Sequence, residues 1–503
     1  MKLKNILLYA GAGLFIAGLA ACKKKLELYP FGSIELSQSF KVVGDAKAWN
    51  NGMYSQLRPR VSGLYTYSTD IQADQLNAII DFGNRNGSPH RWDDTFNSDD
   101  YTIRDIWAGY YGAITNINIA INGFPNITTT AAWQVDTLKK YTGDMHMARA
   151  YYYFQLASLW SKSYDAATAS TELSVPLVLT YDVNAKPTRA TVAQVYDNIL
   201  SDINIAKTNL AIVNGAQGAT RFTKDAVSAL EARVKLNMKD WLGAKAAADA
   251  IISSGRYPLY NTQDNIKNMW ARDLAQEDIF RPAMAQPNEL AGTSGFYLGY
   301  NGSTNRYTPD FIPSQWVVDM YDETDYRKKA YFDSTFTVSL SVGNFRNIYL
   351  VNKYPGNPVY FTGANTNYQH APKVFRVAEL YLISAEAGAM SSDPAAQADA
   401  LVKLNALRVA RGLASITVSG AALLDEIKNE RFRELAFEGF RLNDLKRWNQ
   451  GFTRRLSQNA TLLMNGSTYN TLTVAAGNNK FVWGLPANDY TINTNLRPQN
   501  PGW

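Results

Sequence analysis

Residues 426–451 read EIKNERFRELAFEGFRLNDLKRWNQG, a stretch in which charged side chains are interleaved with large apolar ones. Glu430, Glu434 and Glu438 are spaced four residues apart, so a helix would place them on one stripe, where like charges repel. Such a stripe is tolerated only if arginines from this segment or from adjacent helices neutralise it. We therefore predict a partly buried ion-pair network that fixes helix register, and an acid pair for glycoside hydrolysis is the alternative.

Helical periodicity continues on the N-terminal side of this stretch. Apolar residues recur at spacings of three and four in residues 101–122 and 136–160, and residues 197–210 add a third helix. Each run is long enough for several turns and would bury one apolar face. The sequence therefore predicts a mainly α protein.

Two further segments each read as a pair of helices. Residues 223–252 would begin with Thr223 as a cap and turn at Asp240, and residues 374–413 would break at Asp393. Alanines in the first pair would keep the facing backbones close, as in tetratricopeptide hairpins that stack on one another. We predict a scaffold of such hairpins, and ordinary antiparallel helix packing without a true repeat is the alternative.

Two zones lack helical periodicity. Residues 61–100 and 261–370 are rich in Gly, Pro, Asn, Ser and Tyr, and the second is too long for a plain loop in a compact domain. Short alternating runs at 336–340 and 345–349 suggest a few strands that pair with each other. Irregular segments on a rigid scaffold commonly carry function, so these zones are expected to carry the function of this chain.

The N-terminus has the layout of a bacterial lipoprotein signal. Two lysines precede an apolar run of 16 residues, which would span ~24 Å as a helix, short of the ~30 Å hydrocarbon core of a membrane. The sequence LAAC at 19–22 looks like a lipobox, so Cys22, the only cysteine, would become the lipidated first residue of the mature chain. A leftover thiol is the alternative. The basic run that follows, residues 23–25, would meet anionic headgroups.

These features give an expected organisation of the chain. It consists of a signal peptide over 1–21, a lipidated tether over 22–40 and a single domain over 41–503, with a helical scaffold mainly over 101–260 and 371–450 and a loop-rich lobe over 61–100 and 261–370.

Several classes of chemistry find no support in the sequence. One cysteine leaves the mature chain without a disulfide framework, a further thiol nucleophile or a cysteine zinc site. The three histidines are scattered, and there is no G-x-S-x-G elbow, phosphate-binding loop or dinucleotide fingerprint. The acidic run at 93–100 lacks the spacing of a calcium loop. We expect no catalytic residues, no cofactor and no metal, and the dispersed charge argues against a nucleic-acid partner.

Motifs spread over nearly the whole chain resemble the SusD/RagB family of Bacteroidetes outer-membrane lipoproteins. The motifs are Cys22-x-x-x-Leu26-Glu27-x-Tyr29-Pro30, the helix Ala148-Arg149-Ala150-Tyr151-Tyr152-Tyr153-Phe154, Arg376-Val377-Ala378-Glu379-Leu380-Tyr381-Leu382 with Ala385-Glu386-Ala387, Leu404-Asn405-x-Leu407-Arg408 through Gly412-Leu413, Glu430-Arg431-x-Arg433-Glu434-Leu435-x-Phe437-Glu438-Gly439-x-Arg441 with Asp444-Leu445-x-Arg447-Trp448, and the closing Asn500-Pro501-Gly502-Trp503.

The resemblance implies a function as well as a fold. Family proteins lie at the cell surface over a SusC-like TonB-dependent transporter, capture oligosaccharides and deliver them for import without cleaving them. A minority that resemble RagB take peptides. Two other classes stay open: a helical scaffold that binds only protein, and a glycosidase with carboxylates among Asp70, Asp74 and Asp93.

A glycan binder needs aromatic platforms for sugar rings and polar side chains for their hydroxyl groups. The two irregular zones offer both. We predict ligand contacts from residues that lie in loop-like sequence beside polar partners: Tyr67, Asp70, Asn84, Arg85, Trp92, Trp270, Tyr297 and Tyr300. Packing inside the protein is the alternative for each aromatic, and Trp316 is predicted to be a core residue.

Overall fold

The computed structural model describes residues 36–81, 87–455, 457–462 and 471–503. The predicted signal peptide, Cys22 and most of the tether lie outside the described residues, as do the predicted ligand residues Asn84 and Arg85. None of the helices within these ranges is both long and apolar enough to span a bilayer.

Helices dominate the architecture, as predicted. In chain order they are α1 (Val43–Leu57), α2 (Leu64–Gln72), α3 (Ser88–Arg91), α4 (Tyr101–Gly123), α5 (Ala132–Trp160), α6 (Val192–Asn209), α7 (Lys224–Asn237), α8 (Trp241–Ile252), α9 (Gln263–Ala271), α10 (Gln315–Asp319), α11 (Lys328–Tyr331), α12 (Val377–Met390), α13 (Pro394–Ala410), α14 (Gly420–Leu435), α15 (Arg441–Arg447) and α16 (Ala487–Ile492).

Side-chain caps start several of the scaffold helices. Thr223 accepts a hydrogen bond from the Ala226 N–H and begins α7, and Asp240 does the same for the Gly243 N–H at the start of α8. Asp393 caps α13 at the break predicted between the two helices of the second pair. The local polar residues thus set the boundaries that the sequence predicts.

The two predicted hairpins stack on each other. Helix α8 packs against both α7 and α12, and α12 packs against α13 and α14. Gly388 permits the close approach of α12 and α13, because a side chain there would meet the Ala396 carbonyl at 2.5 Å. The Lys245 ammonium joins the stack by bonding Asp249 at 2.7 Å, Asp399, and Ser384 at 3.1 Å.

The strands are short and form small sheets. They are β1 (Leu76–Ala78), β2 (Leu173–Pro176), β3 (Arg189–Thr191), β4 (Asp278–Phe280), β5 (Tyr300–Asn301), β6 (Arg306–Tyr307), β7 (Phe311–Pro313), β8 (Phe332–Asp333), β9 (Val338–Leu340), β10 (Gly343–Phe345), β11 (Leu350–Val351), β12 (Phe375–Arg376), β13 (Phe452–Thr453) and β14 (Thr473–Val474). One sheet has four strands in the order β10-β9-β6-β5, and the other pairs are β1-β7, β8-β11, β4-β12, β13-β14 and β2-β3.

The predicted strand pair exists in a shorter form. Strands β9 and β10 are antiparallel, with Phe345 opposite Val338. The prediction that the two zones are non-helical is wrong in part, because α2, α3, α9 and α11 lie within them. Helix α2 follows Gly63, which offers no side-chain cap, and its sequence LYTYSTDIQ contains weak helix formers. Its burial against the rest of the protein overrides the weak local preference.

Among the described residues, the two largest of several hydrophobic clusters form the main cores. The larger lies under α1, α4, α5, α6, α7 and α8, and it contains Trp160 and Trp483. The second core lies in the lobe, and it contains Trp270, Tyr297 and Tyr331. Trp316, predicted to be a core residue, is half-buried against this second core and stacks on Phe432 with ring centroids 5.0 Å apart. The irregular zones are therefore packed elements rather than open loops.

A buried ion-pair network joins the lobe to the helical scaffold, as predicted from the acidic stripe. The Glu434 carboxylate accepts hydrogen bonds from Arg411 at 2.9 and 3.0 Å, from Arg376 at 2.8 Å and from Arg327 at 3.1 Å. Arg411 is also bidentate with Glu277 at 2.9 Å. Burial alone would raise the pKa of Glu434, but Arg411 and Arg376 lower that pKa well below its usual value.

The helical stripe that suggested this network is shorter than predicted. Helix α14 ends at Leu435, and Phe437 and Gly439 have positive φ values of 65° and 82°. Glu438 therefore lies outside the helix, which removes the stacking of three carboxylates on one face. It still joins the network, because Arg376 donates to it at 2.6 Å and Lys353 at 2.8 Å.

Replacing Glu434 by Gln should destabilise the protein. Three buried guanidinium groups would lose their shared counter-charge, so we expect the free energy of unfolding to fall by about 3 to 5 kcal/mol. Urea denaturation at pH 7 measures the change. Glu323→Gln is the matched control, because Glu323 is 78% exposed in its pair with Lys328, and its loss should cost less than about 1 kcal/mol. Equal stability of the two variants would contradict the structural role of the network.

Candidate ligand-binding surface

Three aromatic rings form a row on the four-stranded sheet. Tyr300 on β5 and Tyr307 on β6 are cross-strand neighbours with ring centroids 5.0 Å apart. Tyr307 in turn stacks on Phe336 at 4.1 Å with an interplanar angle of 21°. All three side chains are half-buried, so each ring keeps part of its surface open to solvent. We call these three residues the aromatic sheet surface.

The local sequence explains this arrangement. The hairpin β5-β6 turns through Asn301–Asn305, where the Asn301 side chain accepts a hydrogen bond from the Ser303 N–H and Asn305 has a φ of 52°. The register places the two tyrosines opposite each other, and paired aromatic residues stabilise such strands. The Tyr307 N–H donates to the Thr337 carbonyl at 3.1 Å, which positions Phe336 next to Tyr307.

Polar groups border the aromatic sheet surface. The Tyr300 hydroxyl donates to the Asn305 side chain at 3.1 Å, and Asn365 approaches the turn closely because Gly302 has no side chain. The Asp81 carboxylate bonds Ser341 at the β9-β10 turn. Burial raises the pKa of Tyr307 to about 12, so its hydroxyl stays protonated at neutral pH and can donate a hydrogen bond. Amide and hydroxyl groups beside aromatic faces are suited to binding sugars.

Tyr67, Tyr297 and Trp270 all belong to the second core, where Tyr297 and Trp270 are buried and Tyr67 packs at its edge. Tyr67 is half-buried and meets Phe296 edge-on at 4.7 Å, and Phe296 contacts Tyr297 at 4.1 Å. Tyr297 is only 1% exposed. Among these three, only Tyr67 has a side chain that a ligand could reach in this conformation.

Trp270 is enclosed by charged and aromatic groups. It is 2% exposed, and the Lys353 ammonium lies 4.3 Å from its ring centroid. Tyr331 and Tyr354 meet the ring edge-on. The structure therefore gives Trp270 a packing role in the second core, and the ligand role predicted for it has no accessible ring face to act through.

Asp70 is buried and binds the protein's own backbone. Its two carboxylate oxygens accept hydrogen bonds from the Gly439 N–H at 3.1 and 3.0 Å, and one of them accepts from the Gln75 side chain at 2.8 Å. These bonds join α2 to the loop after α14. Burial raises the pKa of Asp70 to about 8. In this structure Asp70 has no surface left for a sugar.

Trp92 lies apart from the other predicted residues. It is 9% exposed, packs against Phe452 and Phe481, and donates its indole N–H to the Gln72 carbonyl at 2.7 Å. Its backbone is in the left-handed region, with a φ of 57°. The ring therefore holds a separate small cluster together rather than facing a ligand.

The structure thus places one predicted residue, Tyr300, on the aromatic sheet surface and adds two that the prediction left out. Tyr307 and Phe336 lie outside the set of residues predicted to contact a ligand, although the sequence around Tyr307 contains a signal for its position. Two tyrosines flank the turn-forming residues NGSTN, and such a hairpin places them side by side. Among the described residues, no group of three or more His, Cys, Asp or Glu side chains is arranged to hold a metal ion.

The raised pKa of Asp70 predicts a pH-dependent stability. The folded protein keeps this proton up to about pH 8, whereas the unfolded chain loses it near pH 3.8, so the unfolded state binds fewer protons between these values. The contribution of Asp70 to the free energy of unfolding should therefore fall as the pH rises from 5 to 8. Urea denaturation at both pH values should show a smaller fall for Asp70→Asn than for the wild type. The exposed Asp136→Asn serves as the control, and an unchanged pH profile in Asp70→Asn would contradict the assignment.

Comparison with known proteins assigns both halves of the chain to one family. Residues 44–236 match a SusD-like family model described as starch-binding and associating with the outer membrane, and residues 293–503 match the SusD family model. Two relatives from Formosa agariphila, SusD-like protein P38 and SusD-like protein P2, are each 24% identical. The first alignment covers 89% of this chain and 92% of the relative, and the second covers 95% and 96%.

Solved structures show the same fold. A SusD superfamily protein from Bacteroides thetaiotaomicron superposes with a TM-score of 0.78 at 24% identity, over 92% of this chain and all of the other. A SusD-like carbohydrate binding protein from Bacteroides vulgatus gives 0.73 at 21% identity, over 91% and 98%. A laminarin binding SusD-like protein gives 0.67 at 20% identity, over 92% and 100%. This chain belongs to the SusD/RagB family.

Proposed function

We propose that this protein captures oligosaccharides at the bacterial outer membrane and delivers them, uncleaved, to a SusC-like TonB-dependent transporter. The observation that carries the proposal is the row of partly open rings on the aromatic sheet surface, bordered by the amides of Asn305 and Asn365. The matching family is described as starch-binding, and two structural neighbours are a carbohydrate binding and a laminarin binding protein, which supports the same ligand class.

The acidic side chains that could act as catalytic groups already form ion pairs or hydrogen bonds, which supports a binding role without catalysis. Glu430 and Glu434 are ion-paired with arginines, and Asp74 forms a bidentate pair with Arg441 at 2.9 and 2.7 Å. Asp70 accepts backbone hydrogen bonds inside the protein. A glycosidase needs two carboxyl groups free to act on a bond between them, and each of these groups already has a partner.

Replacing Tyr307 by Ala should weaken glycan binding. The ring lies between Tyr300 and Phe336, so its removal takes away the centre of the stacking surface, and we expect a loss of about 1 to 3 kcal/mol in binding free energy. Calorimetric titration against a panel of neutral oligosaccharides, with short peptides as the comparison set, measures the effect. Tyr181→Ala, at an exposed tyrosine outside the sheet, is the matched control and should bind as the wild type does. Binding of peptides but of no saccharide would contradict the proposed ligand class.

The proposed location depends on the lipid anchor at Cys22. Replacing Cys22 by Ala removes the acyl attachment, so we expect the protein to move from the membrane fraction to the soluble fraction. Affinity for an oligosaccharide should stay unchanged, because the residues of the aromatic sheet surface are all beyond position 299. Fractionation followed by immunodetection tests this prediction, and a variant that stays in the membrane would contradict the anchor.

A further inference from the structure

A second cleft lies between the end of α5 and the C-terminal segment. Its walls come from residues 162–173, 445–450, 477–482 and 498–501, and its volume is about 680 Å³. Ligand pockets commonly measure roughly 300 to 1,000 Å³. None of the residues of the aromatic sheet surface lines this cleft, so the two are separate sites.

Two cations in this cleft are held only by neutral groups. The Lys446 ammonium donates to the carbonyls of Ser158 and Ser161, the latter at 3.0 Å. The Arg189 guanidinium donates to the Ser174 and Pro498 carbonyls, each at 2.7 Å, to the Leu173 carbonyl at 3.2 Å and to the Asn500 side-chain oxygen at 2.7 Å. In the part of the chain that the structure describes, neither cation forms an ion pair with a carboxylate.

The other charged groups of the cleft are already neutralised. Lys162 pairs with Glu172 at 2.7 Å, and Lys239 lies 3.6 Å from Asp165. Arg447 bonds Glu386 and Asp444, which lie outside the cleft lining. The cleft therefore carries the positive charges of Lys446 and Arg189 without compensation.

The two cations are anchored to adjacent points of the same wall. Lys446 bonds the backbone of Ser161, and Arg189 bonds the backbone of Ser174. The hydroxyl groups of these two serines are hydrogen-bonded to each other. Lys446 and Arg189 are therefore attached to two neighbouring, hydrogen-bonded segments of this wall.

Burial in the wall of the cleft disfavours the charged forms of Lys446 and Arg189. Burial lowers the pKa of Lys446 to about 7 and that of Arg189 to about 10. A bound anion would stabilise both cations, so part of the cost of burying them would be recovered on binding. This physical situation favours an anionic ligand over a neutral one.

The remaining groups that line the cleft indicate what kind of molecule bears the anionic group. The lining includes hydroxyl and amide side chains, among them Thr168, Asn449 and Gln450, and the ring of Tyr164. The Ser163 hydroxyl is buried without a hydrogen-bond partner among the described residues. Hydroxyl and amide groups that surround an aromatic ring are suited to the hydroxyls and C–H faces of a sugar.

We propose that this cleft is a second ligand site, which binds an acidic saccharide through a carboxylate or sulfate ester placed at Lys446 and Arg189. The proposal rests on the proposed function only in that the ligand is a saccharide. The cleft would add a preference for charged glycans. The aromatic sheet surface does not supply this preference, because its rings are bordered by neutral amides.

The test compares matched probes on the full-length protein. Calorimetry would use trigalacturonate, its methyl ester, a sulfated galactan oligosaccharide and sodium sulfate alone. We expect trigalacturonate or the sulfated oligosaccharide to bind, with Lys446→Gln weakening that binding at least about tenfold, which is about 1.4 kcal/mol. Lys207→Gln, at a lysine paired with Glu231 outside the cleft, should bind as the wild type does. If Lys446→Gln does not fold, Ser163→Tyr, which narrows the cleft at its lining and leaves Lys446 in place, should also weaken binding of the acidic probe.

Several results would overturn the inference. The first is that trigalacturonate and its methyl ester bind with equal affinity. The second is that the folded cleft variants bind the acidic probe with the affinity of the wild type. The third is that sulfate ion binds but no saccharide does. Tyr307→Ala separates this proposal from the proposed function, because it should weaken neutral glycans and leave the acidic probe bound at the cleft. Loss of the acidic probe in Tyr307→Ala alone would overturn the second site and leave the first intact.

Discussion

The structure depends on one buried carboxylate, that of Glu434, which three arginines from distant parts of the chain share. Arg327 precedes α11, Arg376 lies on β12 and Arg411 follows α13, so each brings a different element to α14. A buried charge without a partner is far more costly than an exposed one, and every member of this network therefore requires the others to be in place. The network connects the hairpin scaffold to the lobe, because Arg327 belongs to the lobe and Arg411 to the scaffold. The aromatic sheet surface is built on that lobe.

This constraint also explains why the motifs shared with the SusD/RagB family are rich in charge. Arg376, Glu430 and Glu434 belong to the central network, and Arg447 with Trp448 holds Glu386 on α12. The closing Asn500 accepts a hydrogen bond from Arg189 and donates to the carbonyls of Trp160 and Trp483. These residues hold elements of the scaffold together. The β5-β6 hairpin, to which we assign the choice of neutral ligand, makes no contact with the central network among the bonds described above.

The sequence predicts the helical scaffold, but it does not predict which of the candidate site residues are buried, for physical reasons. Thr223 and Asp240 cap helices through bonds three residues away, so local sequence contains the whole signal. The acidic stripe predicts that Glu434 needs cations, but its partners are up to 107 residues away, in the case of Arg327. Trp270 and Tyr297 lie in Gly- and Asn-rich sequence that suggests a surface, and only long-range packing shows that they form a second core. The sequence of the β5-β6 hairpin predicts that Tyr307 lies beside Tyr300. No local sequence pattern predicts that Tyr307 stacks on Phe336.

We thus propose two kinds of recognition on one scaffold, one through the half-buried rings of the aromatic sheet surface and one through the cations of the cleft. We propose that the lobe binds saccharides through the aromatic sheet surface and leaves their bonds intact. A crystal structure of the protein with its tightest-binding neutral oligosaccharide would show where the sugar lies. We expect an unbroken chain of sugar rings lying against Tyr300 and Tyr307. A cleaved oligosaccharide, or a sugar bound away from the β5-β6 hairpin, would contradict it.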